Sequence, residues 1–103
     1  MRKIETLMNQ AITASKDWSL ENTTVYNEDG VSVVRLHGNK IAEVGDTWLK
    51  LYDGGYRSNT TKSRLNAILS AHGNGERVYQ KNYTWFISLN NEEKEFESGI
   101  LLN

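Results

Sequence analysis

The stretch Thr23–Tyr52, TTVYNEDGVSVVRLHGNKIAEVGDTWLKLY, decides the fold. Its apolar residues fall in short runs rich in β-branched side chains, which suit a pleated surface. Asp29-Gly30, Gly38-Asn39 and Gly45-Asp46 separate the runs. Such dipeptides close hairpins because Gly, Asn and Asp tolerate positive φ. Strands are therefore predicted at 23–27, 31–37, 40–44 and 47–52, as an antiparallel meander. On the last strand Trp48, Lys50 and Tyr52 alternate onto one face and Leu49 and Leu51 onto the other. The leucine face is expected to be buried, leaving Trp48 and Tyr52 partly exposed.

Before the meander, Ile4, Leu7, Met8, Ala11 and Ile12 recur at helical spacing, which predicts an amphipathic helix over residues 3–15. After it, GGYRSNTTKSRLNAIL, Gly54–Leu69, predicts a helix over 61–71 with Leu65, Ile68 and Leu69 on its apolar side. Asn59 or Thr60 is the expected cap, and Gly73 and Gly75 the stop. RVYQKN and YTWFISLN then form a hairpin that turns around Lys81-Asn82. The expected fold is α+β, of order α-β4-α-β2, in one domain over 1–103, with both helices on one face of an antiparallel sheet. Its expected core is Ile4, Leu7, Met8, Ile12, Val34, Leu36, Leu49, Leu51, Leu65, Ile68, Leu69 and Phe86. The tail holds Phe96, Ile100, Leu101 and Leu102, too apolar to be left in water. It is expected to dock on the domain or to form a two-fold homodimer contact.

The 103 residues leave room for one core. With no cysteine, disulfides, thiolate metal sites and thiol nucleophiles are excluded. No apolar run approaches the roughly 20 residues that span a bilayer, and Glu5 and Asn9 interrupt what would be a signal peptide. A cytosolic protein with no membrane partner is expected. The net charge of −1 hides an uneven distribution, −1 over 1–44, +3 over 45–90 and −3 over 91–103. A basic middle and an acidic end suit a specific partner better than general coating of nucleic acid.

Three sets of residues invite a functional reading. Arg57, Thr60, Thr61, Lys62 and Arg64 sit at the start of the second helix, where unpaired N–H groups and the helix dipole attract anions. The same residues also read as a helix cap with solvated charges. Trp48, Lys50, Tyr52, Tyr56 and Lys81 interleave aromatic with basic side chains, a pattern that can stack bases of single strands or simply furnish a core. The run Glu92–Glu97 is either a solvated loop or a surface for a basic partner. His37 and His72 have no nearby ligand partners, and His72 falls in a last helical turn that favours a cation. No triad order, phosphate loop or dinucleotide fingerprint occurs, so a non-enzyme without cofactor or metal is expected.

The series LHGNKIAEV, NTTKSRLNAILSAHG and VYQKNYTWFIS resembles a group of small bacteriophage and mobile-element proteins. In that group G-N-x-I-A precedes T-T-K-x-R-L-N-A-[IL]-L, and a V-x-Q-K/R-x-x-x-W hairpin follows. The likeness runs from Leu36 to Ser88, and TTKSRLNAIL is its most distinctive part. It implies a phage origin and carries over no catalytic residues. The first helix and the tail lie outside it. With the small size, it implies an inhibitor or modulator of a host protein complex, of the anti-CRISPR or anti-restriction kind. The alternative is a nucleic-acid-binding accessory protein that uses the basic middle.

Overall fold

The meander predicted from Thr23–Tyr52 is the centre of the computed structural model, which describes residues 1–103. Its strands are β2 (Thr23–Glu28), β3 (Val31–Leu36), β4 (Asn39–Val44) and β5 (Leu49–Leu51). Asp29-Gly30 and His37-Gly38 make the tight turns with all four φ angles positive, between 51° and 80°. The second turn lies one residue earlier than Gly38-Asn39, because Asn39 already belongs to β4. Two strands missed in the sequence widen the sheet, β1 (Trp18–Leu20) outside β2 and β9 (Ile100–Leu102) outside β5. All six are antiparallel, and one inward row, Trp18, Val25, Val34, Ala42, Leu51 and Ile100, crosses the sheet. Between Val34 and Arg35 the register slips. Ile41 is the extra residue of this β-bulge and is buried beside Ala42, which breaks the in-out alternation.

The helices α1 (Lys3–Ala14) and α2 (Asn59–His72) pack on the sheet's inner side, α1 beside β1 and β2 and α2 beside β4. The buried stripe of α1 is Glu5, Met8, Asn9, Ala11 and Ile12, with Ile4 and Leu7 only half-buried. It is rotated toward two polar residues, and each has a partner: the Asn9 amide donates to the Ala67 carbonyl at 3.0 Å, and Glu5 pairs with Arg64. The cap of α2 is Ser58, not the predicted Asn59 or Thr60, and its hydroxyl accepts from the Thr61 N–H at 3.1 Å.

The C-terminal strands β6 (Arg77–Lys81), β7 (Thr84–Leu89) and β8 (Glu92–Glu95) form a second antiparallel sheet. The fold therefore has two sheets where one was expected, with α2 in contact with both. Trp85 and Ile87 point inward from β7, so Phe86, expected in the core, lies half-buried on the opposite face. The turn is Asn82-Tyr83, one residue later than predicted. Asn66 of α2 closes the outer edge of β6 by donating to the Val78 carbonyl and accepting from the Val78 N–H, both at 2.8 Å.

The tail docks within its own chain. Phe96 is buried edge-on to Trp85, ring centres 5.6 Å apart, and its N–H donates to the Trp85 carbonyl. Leu102 is buried and Ile100 half-buried, but Leu101 stays 54% exposed. Burying a side chain such as Phe96 stabilises by roughly 1.5–3 kcal/mol, which offsets the ordering of one or two residues at about 1–2 kcal/mol each, so the tail also draws on Leu102, Ile100 and the pairing with β5.

Candidate partner-binding surface

The basic start of α2 is largely consumed by the fold. Arg64 is only 3% exposed. Its guanidinium donates to Glu5 Oε2 at 2.8 Å, Thr23 Oγ1 at 3.1 Å and Asn22 Oδ1 at 3.3 Å. The same Glu5 oxygen accepts from the Ser63 hydroxyl. Arg64 is thus a buried link between α1, α2 and β2, and not part of a positive surface. Thr61 is buried, its hydroxyl within hydrogen-bond reach of Ser58 Oγ and the Tyr56 carbonyl. Thr60 is half-buried on the first turn. Lys62 reaches across to Gln80 Oε1 on β6 at 3.1 Å.

Arg57 is exposed yet committed. It donates to Asp53 Oδ2 and the Phe96 carbonyl, both at 3.1 Å, and lies 5.4 Å from the Trp85 ring centre and 5.5 Å from that of Phe96. Burial alone would push the Asp53 carboxyl up. The Gly55 N–H, Arg57 and Ser98 outweigh it and hold the carboxyl below its usual range. The helix start is a clamp between layers, with Arg57 and Arg64 ion-paired and Lys62 bonded to the neutral Gln80.

The aromatic and basic residues do not form one platform. Trp48 is half-buried, its indole filling the space where a Gly45 side chain would stand. Lys50 and Tyr52 lie on the outward side of the six-stranded sheet. The Tyr52 hydroxyl donates to Glu43, and the Lys40 ammonium sits 4.6 Å from the Tyr52 ring centre. Burial and then Glu43 push the Tyr52 hydroxyl up to about 12. Tyr56 is exposed in the loop before α2. Lys81 belongs to the other sheet, 3.0 Å from Glu93 Oε2 and 5.6 Å from the Phe86 ring centre. Burial lowers the His72 pKa, which opposes the cationic form that a last helical turn favours.

What the fold does offer is the three-stranded sheet. Its outer side carries Tyr79 stacked on Phe86 with ring centres 6.1 Å apart. The Tyr79 hydroxyl donates to Glu93. That bond raises the tyrosine pKa, and together with Lys81 it lowers that of the glutamate. All four residues of β8, Glu92, Glu93, Lys94 and Glu95, are exposed on a free sheet edge, and Glu97 is exposed just beyond. At the β6–β7 tip Tyr83 is 94% exposed with φ of +66°. The sequence signal for that tip was a two-residue turn with tyrosine where glycine is preferred.

Residues 1–103 match the family model described as Kyanoviridae Gp96 protein, a phage protein family. The match takes in the first helix and the tail, which lay outside the resemblance read from motifs. No curated protein and no solved structure matches the chain.

Proposed function

The chain belongs to the Kyanoviridae Gp96 family of phage proteins, and we propose that it is a non-catalytic binding protein that inhibits or modulates a host protein complex in the host cytosol. Its contact surface in this reading is β8 with Glu97, set against a basic, nucleic-acid-binding surface of the complex. Anti-CRISPR and anti-restriction proteins act in this general way.

The observation that carries the reading is the state of the charges. The three glutamates of β8 and Glu97 are exposed, and only Glu93 among them has a basic partner in the chain. An acidic edge facing a basic channel speeds association and selects the partner. The alternative, phosphate binding by the helix start, has less support. Arg64 is buried and ion-paired, Arg57 is held by Asp53, and Lys81 by Glu93.

Affinity capture from host lysate, with and without nuclease, tests the proposal. A host protein retained after nuclease, and more weakly as salt rises, is the expected result. Retention that vanishes with nuclease would return the protein to the nucleic-acid class.

A further inference from the structure

The molecule has four outer sheet edges, and three are protected by different means. The backbone of β6 is occupied by the Asn66 amide. β8 is wholly charged, with net charge −2 from three Glu and one Lys. β1 has α1 packed beside it and is bracketed by Asp17 and Glu21. Antiparallel self-pairing there would set Asp17 against Glu21 of the other copy. These are the usual devices by which sheets avoid edge-to-edge association.

The fourth edge, β9, has neither a packed helix nor a charge, and a side-chain amide meets it only at its end, where Asn74 donates to the Asn103 carbonyl at 3.4 Å. It reads Ile-Leu-Leu, with no charged residue from Ser98 through Asn103. It ends the six-stranded sheet, and Leu101 is 54% exposed on the sheet's open side. We propose that β9 pairs with β9 of a second copy of this chain, antiparallel about a two-fold axis.

Self-complementarity argues for a second copy as the occupant. Centred on Leu101, antiparallel pairing sets Leu101 against Leu101 and Ile100 against Leu102, with apolar groups opposite one another throughout. The nearest cation in register is Lys50, beside Leu101 on β5. In the paired sheet the two Lys50 residues stand three strand spacings apart, about 14 Å. That exceeds the Debye length of about 8 Å at physiological salt, so their repulsion is screened. Three residues a side make a small interface, so a reversible dimer is expected.

Light scattering on the purified full chain tests this, from about 5 to about 500 µM, a range suited to weak interfaces. The weight-average mass should rise with concentration from 11.8 kDa toward twice that value. Leu101→Lys installs the missing edge charge at an exposed position. It should hold the mass at 11.8 kDa throughout, with unchanged circular dichroism and Tm. If that variant does not fold, Leu101→Ser makes the same comparison with a smaller change. A wild-type mass of 11.8 kDa at every concentration overturns the proposal and leaves the edge open to a foreign strand. Association that persists in a folded Leu101 variant also overturns it.

Discussion

The first turns of α2 and the strand β8 both carry charge that the sequence displays, and they use it in opposite ways. At α2, Arg64 lies inside the protein against Glu5, and Arg57 is clamped to Asp53. At β8 every residue faces water, and one glutamate of three makes an ion pair. A run of charges in a sequence is therefore not yet a surface. What matters is whether the backbone carries those charges between layers, where they must be paired, or along an edge, where they stay available.

The largest test of this contrast is Arg64→Ala. It should cost about 3–5 kcal/mol, because it strands the Glu5 carboxylate in the interior. Chemical denaturation measures this directly. Glu5→Gln combined with Arg64→Met should recover much of the loss, since neutralising both members removes the uncompensated charge. A loss below about 0.5 kcal/mol for the single change would put Arg64 among ordinary surface residues and break the comparison.

Asn66→Ala comes next, at about 1–3 kcal/mol, because the Val78 N–H and carbonyl lose their partner on the edge of β6. Concentration-dependent aggregation of this variant would sharpen the view that Asn66 guards that edge.

Acid gives a smaller, graded effect. The Asp53 pKa is lowered in the fold, so its pairing with Arg57 stabilises above the unfolded value near 3.8 and is lost as pH falls through the folded value. Asp53→Asn should flatten that part of the stability–pH curve. A curve unchanged by the substitution would mean the clamp contributes nothing.

The least disruptive check concerns the open side of the larger sheet. An ultraviolet titration should show Tyr52 ionising near 12, later than an ordinary tyrosine. Its raised pKa means that fold stability is fully present below about 10 and falls as pH rises toward the folded value. Glu43→Gln should move that titration back toward the usual value. An unchanged late titration would assign the shift to burial alone.

Much of the fold was legible because strand and helix periods leave clear marks. Both helices, the four central strands and the last hairpin follow from alternation, helical spacing and turn dipeptides. What was not legible depends on partners distant in sequence. The buried stripe of α1 is turned toward Glu5 and Asn9, which become buriable only because Arg64 and the Ala67 carbonyl meet them. Ile41 enters the core through a bulge that no spacing announces. β8 is wholly charged and has no apolar face to read, and β9 becomes a strand only by pairing with β5. For the candidate site, the acidic run itself was visible, but its exposure on a sheet edge was not. The proposed anion site failed to assemble as a surface because Arg64 has a carboxylate from another helix.

In the proposed function, charge at α2 holds the fold and charge at β8 meets the partner. The most direct measurement compares capture of nuclease-treated host protein by wild type, by Glu92→Lys/Glu95→Lys/Glu97→Lys, and by Lys62→Ala. The triple reversal should keep its Tm, since surface changes cost about 0.5 kcal/mol or less, yet lose capture, while Lys62→Ala should retain it. Capture that survives the triple reversal and is lost with Lys62→Ala would contradict the proposed function.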